Sequence, residues 1–239
     1  MLLDLARGFR ELAYPSICAS CATAVPGNVG FFCLACVAAL TTDPHKTCPR
    51  CCSEIGEFTQ IDKGCPRCRD ERFHFERSFR LGPYEGSLRD AILRMKNPAG
   101  EMLAECLGQL WSNIAEARLR EVGADVVIPI PLHWWRKWQR GYNQTEALAE
   151  AIAKKLGLLC APAWLKRVRP TAHQAELSGT ERRENMRNSF RPGRRAQLKD
   201  KTVLLVDDVL TTGTTASEAA RALKEAGAAR VVVAVLAHR

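Results

Sequence analysis

Apolar and polar positions along this chain fall into two rhythms. Between Tyr84 and Lys96 the apolar residues Leu88, Ile92 and Met95 recur at helical spacing and Asn97-Pro98 stops the run, which predicts a short amphipathic helix. From Glu101 to about Arg120, Leu103, Leu107, Leu110, Trp111 and Ile114 hold one stripe apolar, so a longer helix should pack on the body of the protein. Cys106 lies beside that stripe and, like Cys160, reads as a small core residue. The rhythm then changes. Val126–Ile130, Val203–Val206 and Val231–Leu236 are continuous apolar runs too short for helices, as expected of strands buried on both faces of a parallel sheet. Helices should follow the first two, at Thr145–Leu156 closed by Gly157 and at Ala216–Ala226 closed by Gly227. Strand, loop and helix thus recur. This predicts an α/β fold whose two loops, Pro131–Gln144 and Asp207–Thr215, share the carboxyl edge of one sheet, where such proteins bind ligands.

The second loop carries the clearest chemistry. Asp207 and Asp208 stand at the expected strand end, followed by Thr211, Thr212, Gly213, Thr214 and Thr215, and then by a helix start. A helix N-terminus offers N–H groups and a positive dipole end to a phosphate. Carboxylates at a strand tip suit ribose hydroxyls or a hydrated Mg²⁺. No Walker lysine follows the glycine and no G-x-G-x-x-G is present, so a phosphorylated sugar fits better than a nucleoside triphosphate or a dinucleotide. Over its thirteen positions VLLVDDVLTTGTT resembles the phosphoribosyl pyrophosphate (PRPP) signature of type I phosphoribosyltransferases. The resemblance implies that Asp207 and Asp208 take the ribose 2′ and 3′ hydroxyls and that Thr211–Thr215 hold the 5′-phosphate.

The N-terminal part differs in kind. Nine of the eleven cysteines lie between Cys18 and Cys68, and eight form C-x-x-C pairs: Cys18/Cys21, Cys33/Cys36, Cys48/Cys51 and Cys65/Cys68. In a chain expected to be cytoplasmic this density favours metal over disulfides, and four pairs make two closed structural zinc sites, with an iron–sulfur cluster or a redox dithiol as the alternative. Joining first to second and third to fourth needs the shortest loops. Cys51 has the ligand spacing, although Cys52 adjoins it, and His45 reads as a loop residue. With so few large apolar residues, this block should depend on its metal to fold. Its role is either purely structural or one of binding a nucleic acid or a partner.

No run approaches a membrane span, and Met1–Tyr14 carries charge through its middle, unlike a signal peptide. A net charge of +9 suits polyanionic partners without requiring one.

The loop P-x-P-L-x-x-x-R-x-x-x-R-G-[FY]-N-Q, the four cysteine pairs and the PRPP signature together resemble the ComF family of competence-associated proteins. Arg167, Arg169, Thr171, Gln174, Leu177, Arg182, Asn185 and Phe190 also stand at that family's spacing, so the resemblance covers nearly the whole chain. Departures are small, such as Tyr142 where Phe is frequent. The implied architecture is a type I phosphoribosyltransferase-like parallel sheet flanked by helices, with a small N-terminal double zinc ribbon. The ribbons would occupy 1–75, with a linker near Arg69–Arg77, and the transferase-like part 76–239, of which 76–122 forms the hood and first helices and 123–239 the core.

Arg136, Arg140 and Gly141 are candidates for the pyrophosphate end of PRPP, since a guanidinium fork matches a phosphate. Trp134, Trp135 and Trp138 either stack on bases or cover the hood. Lys166–Arg195 holds nine Lys or Arg against three Glu. It sits in order for the loop that closes over PRPP, and Lys166, Arg167, Arg182 and Arg183 are also suited to nucleic-acid phosphates. The favoured function is a PRPP- and Mg²⁺-binding protein of DNA uptake that holds single-stranded DNA, without membrane insertion, with other DNA-uptake or DNA-processing proteins as candidate partners. The alternative is an active phosphoribosyltransferase. Thr211 stands where 6-oxopurine salvage enzymes carry an acid, and the ending at Arg239 is expected to leave no base-contacting extension.

Overall fold

The computed structural model describes residues 17–25, 30–169 and 186–239. The expectations for Met1–Tyr14 and for Thr171, Gln174, Leu177, Arg182, Arg183 and Asn185 lie outside the described residues. The ribbon region contributes helix α1, Leu34–Thr41. Then follow β1 (Arg77–Pro83), α2 (Gly86–Arg94), α3 (Glu101–Ile114), α4 (Glu116–Arg120), β2 (Val126–Pro129), α5 (Trp134–Arg140), α6 (Gln144–Leu156), β3 (Leu159–Cys160), a 3₁₀ turn (Pro162–Trp164), β4 (Leu165–Arg167), β5 (Phe190–Pro192), β6 (Thr202–Leu210), α7 (Thr214–Glu225) and β7 (Arg230–His238). Among the described residues no helix is long and apolar enough to cross a membrane.

Five strands form one parallel sheet in the order β1-β7-β6-β2-β3. The continuous apolar runs are explained by burial on both faces. Val127, Leu204, Val206 and Val232 pack with the residues of α2, α3 and α6, whereas Val126, Ile128, Val203, Leu205 and Val231 pack with α7. Each such side chain contributes about 1.5–3 kcal/mol when fully buried. Gly108 lets α3 approach α6 closely, since a Cβ there would lie 2.8 Å from that of Ala151. The order also creates a switch point. From β2 the chain turns outward to β3, and from β6 it turns the other way to β7, so a crevice opens between β2 and β6 beneath both candidate loops.

Four expectations need correction. The strand at Val203–Val206 runs on to Leu210, because Asp207 and Val209 continue the ladder with Val235 and Ala237 after β2 has ended. The acidic pair therefore sits within a strand and not beyond its end. The stretch Pro131–Gln144 is not all loop; its middle is helix α5, closed by Gly141 in the left-handed region at φ 84°. The long helix from Glu101 breaks at Ala115 (φ −99°, ψ 13°). Strand β1, finally, was not foreseen, and it falls partly on the expected linker.

Strand β1 holds a buried charge. The Arg80 side chain is 2% exposed and makes a bidentate pair with Asp43 at 2.8 Å through Nε and Nη2. Glu54 lies farther off, 3.7 Å from Arg80 Nη2, and compensates only in part, so Asp43→Ala should still cost about 3 kcal/mol, the lower end for breaking a buried pair. Denaturant unfolding of the zinc-loaded protein measures this, and a loss below about 1 kcal/mol, the range of an exposed pair, would refute it.

Candidate functional site

The two carboxyl-edge loops and the α2–α3 turn enclose a cleft of about 600 Å³. Of the residues singled out from the sequence, Asp207, Asp208, Thr211, Gly213, Thr215, Arg140 and Arg167 line it. Thr212, Thr214 and Gly141 are not among its lining residues, and the Arg136 side chain lies outside the described residues. Helix α7 starts at Thr214 with Gly213 as its N-cap, in the left-handed region at φ 75°. Gly213, Thr215 and Ala216 line the cleft, so it lies at the N-terminal end of this helix, where a phosphate is favoured.

The acidic pair is asymmetric. Asp208 is buried, accepts a hydrogen bond from Gln144 Nε2 at 2.9 Å and lies 3.0 Å from Lys96 Nζ. Burial acts to raise its pKa, but Lys96 and the Gln144 amide outweigh it and hold the carboxyl below the usual range. Asp207 receives the Asp208 N–H at 2.8 Å. Burial, and then repulsion from Asp208, push its pKa up to about 8. Two carboxyls so crowded, one of them resisting ionisation, favour an added cation or polyhydroxyl ligand.

The first loop is built to deliver Gln144 to this pair. Tyr142 is buried, and its hydroxyl donates to the Met95 carbonyl, which ties the loop to the turn carrying Lys96. Asn143 caps α6 by accepting the Thr145 N–H, while the Thr145 hydroxyl donates to the Ile130 carbonyl at 2.6 Å. Arg140 Nη1 donates to Gln144 Oε1 at 2.6 Å. A chain of contacts thus runs Arg140–Gln144–Asp208–Lys96. Gln144 and Lys96 were missed as site residues. The Y-N-Q run was the available signal for Gln144, whereas Lys96 looked only like the tail of a helix.

Trp134, Trp135 and Trp138 are 67%, 47% and 73% exposed, so they do not cover the hood. Trp135 and Trp138 stack on each other with ring centres 5.2 Å apart. Strands β4 and β5 pair antiparallel at the two ends of the basic stretch, and Lys166 on β4 is exposed.

The cysteines gather as Cys18, Cys21, Cys33, Cys36 and as Cys48, Cys51, Cys65, Cys68, each set with sulfurs within 4.8 Å of one another. The pairing is sequential, and four thiols at this spacing fit a tetrahedral structural zinc. In the second set burial raises the Cys48 thiol, yet the Cys51 and Arg50 main-chain N–H groups bring it down to about 7, whereas burial holds Cys51 and Cys68 above the usual thiol range. Cys52 is not a member; it is buried in the body's apolar cluster. His45 lies 3.6 Å from Glu54 and also stays outside the sets.

Residues 145–239 match the family described as the phosphoribosyl transferase domain. The chain is similar to competence protein F of Haemophilus influenzae, with 28% identity over 219 residues that span 86% of this chain and 90% of that protein. It is similar also to the DNA utilization protein YhgH of Escherichia coli O157:H7, with 31% identity over 226 residues covering 93% and 96% of the two chains. Among solved structures, glutamine PRPP amidotransferase from B. subtilis overlaps 55% of this chain and 25% of its own length, at 25% identity and a TM-score of 0.37.

Proposed function

The chain belongs to the ComF family, and from that premise we propose that it is a DNA-utilisation protein whose cleft binds PRPP with Mg²⁺ and whose tryptophan-bearing, basic surface binds single-stranded DNA. The observation that carries the reading is the convergence of the Asp207/Asp208 pair, the Thr211–Thr215 loop and the start of α7 on one cleft. The helix start would take the 5′-phosphate, the carboxylates the ribose diol, and Arg140 the pyrophosphate. Mg²⁺ would be held by the acidic pair with oxygens of the ligand, and its chemistry there is to neutralise the pyrophosphate. Calorimetric titration of PRPP with and without Mg²⁺ tests this half; no heat of binding in either condition would refute it.

Transfer of the phosphoribosyl group to an amine is the second reading. Thr211 disfavours it for a 6-oxopurine acceptor, because it brings a hydroxyl to the cleft wall where acid–base work on the base calls for a carboxylate. Detection of pyrophosphate release with a nucleobase acceptor would reverse the preference.

For DNA, exposure makes Trp138 the residue to change. Trp138→Ala should weaken single-stranded DNA binding by ~1–3 kcal/mol, with little dependence on sequence. Lys166→Ala should in addition flatten the plot of log affinity against log salt by roughly 0.7. Fluorescence anisotropy at several salt concentrations reads both effects. Wild-type affinity in both variants would exclude these two elements as the DNA surface.

A further inference from the structure

The second cysteine set lies against the back of the phosphate loop, not at a distance from it. Phe73 follows the last cysteine pair by five residues and packs against both the cysteine cluster and the body's core. Its ring faces Gly213, where an added Cβ would come 2.9 Å from Phe73 Cε1 and 3.5 Å from Phe75 Cζ. Phe73 and Phe75 stack with ring centres 4.6 Å apart. Between them the His74 N–H donates to Ser217 Oγ at 3.1 Å, in the first turn of α7. The other face of the arrangement belongs to the ribbon. Arg50, between Cys48 and Cys51, places its guanidinium 5.3 Å from the Phe73 ring centre, and donates to the Cys68 carbonyl at 2.6 Å and to the Glu71 carbonyl.

A second link runs independently of the first. Ser53 Oγ is 3.1 Å from Cys51 Sγ and 3.2 Å from His238 Nε2, all three groups being buried. His238 is the partner of Leu210 in the β6–β7 ladder, and its ring engages the main chain of Thr211, the first residue of the loop. Both ends of the loop, Thr211 and Gly213–Ser217, are therefore touched from behind by groups anchored on one metal site.

We propose that the second four-cysteine site positions the phosphate loop, through Arg50 and Phe73 at Gly213 and through Ser53 and His238 at Thr211, so that the metal-loaded ribbon holds the loop ready for a ribose 5′-phosphate. These are positioning residues that do not touch the ligand. The consequence for affinity rests on the PRPP reading above, whereas the consequence for loop order does not. Gly213 must keep its left-handed conformation while pressed by an aromatic ring, and a loop with this many turn-forming residues loses order readily when its support is withdrawn.

Hydrogen–deuterium exchange on the full zinc-loaded chain tests the loop directly. Phe73→Ala and Ser53→Ala should each speed exchange over residues 211–217 while zinc content stays at the wild-type value, and Phe58→Ala, at a side chain 94% exposed in the same ribbon, should not. Withdrawing zinc with a chelator should produce the same change in wild type. PRPP affinity should fall about fivefold to tenfold in Phe73→Ala, the scale of one lost aromatic or cation contact. Should Phe73→Ala fail to fold, Phe73→Leu keeps more of the apolar side chain and still removes the flat ring and its cation contact. Unchanged exchange over 211–217 in the Phe73 and Ser53 variants, with zinc retained, overturns the proposal whatever PRPP does. Absence of PRPP binding by wild type would instead fault the ligand reading, leaving the exchange result to judge the support of the loop.

Discussion

Replacing Asp207 and Asp208 together by Asn should abolish Mg²⁺-dependent PRPP binding while the zinc-loaded fold survives. Hydrogen bonds to a charged group contribute about 1.5–3 kcal/mol each, so losing both carboxylates should weaken binding by well over a hundredfold. The fold should persist because Asn is isosteric and both side chains stand at the cleft wall, outside the apolar clusters. Asp207→Asn alone should weaken binding less than the double change, since it keeps the ion pair of Asp208 with Lys96 in the cleft. The same residues predict a pH dependence for the wild type. With the Asp207 pKa raised to about 8, the free protein carries a proton there at neutral pH. A cation that takes both carboxylates must displace this proton, so the bound state holds fewer protons than the free state and affinity must rise with pH. The gain is at most about tenfold per pH unit for one proton and should level off above the raised pKa. Calorimetry between pH 6 and 9, in buffers of different ionisation enthalpy, counts the proton. Equal PRPP affinity in the double variant would show that the acidic pair does not serve the ligand.

Metal removal should have a larger effect, on the N-terminal part of the molecule. Each of two closed four-thiol sites should hold one zinc, and structural zinc contributes roughly 10–16 kcal/mol to small domains of this kind. Elemental analysis of purified protein should therefore find close to two zinc per chain. Cys33→Ser should release one of them and unfold the first ribbon. That ribbon is not isolated from the body: Arg94 of α2 donates to the Ala19 and Ser20 carbonyls, and Cys18, Phe32 and Leu40 share the apolar cluster of α2 and α3. The loss should consequently be visible as faster exchange in α2 as well as in residues 17–41. Recovery of a metal-free chain with native exchange throughout would refute the zinc assignment.

Residues dense in local signal were legible from the sequence. The cysteine sets could be paired correctly because C-x-x-C spacing and short loops leave few ways to close two tetrahedral sites. The central strands could be found because a sheet covered on both faces demands unbroken runs such as Val203–Val206 and Val231–Val233. The cleft loop was marked by its own composition, with an acidic pair, four threonines and a glycine in nine residues, Asp207–Thr215.

What the sequence could not disclose depended on partners far along the chain. Strand β1 was not legible because Arg77 and Arg80 hide its apolar pattern just after the expected linker; only when Asp43 arrives from the ribbon region does burial of Arg80 become affordable, and only pairing with β7 makes the segment a strand. Lys96 became a site residue because the hydroxyl of Tyr142, forty-seven positions beyond Met95, bonds the Met95 carbonyl and so fixes the turn that carries Lys96 beside Asp208. Helix α5 was hidden in a segment read as a ligand loop, because its exposed tryptophans alternate with basic residues and leave no apolar stripe to mark a helix. The sequence by itself determined the chemistry on offer: thiols in fours, carboxylates beside a helix start, and arginines in a turn. Tertiary structure decided which of these meet, and so which carboxyl ionises, because two adjacent acids start alike and only burial, Lys96 and Gln144 packed around them make their proton affinities differ.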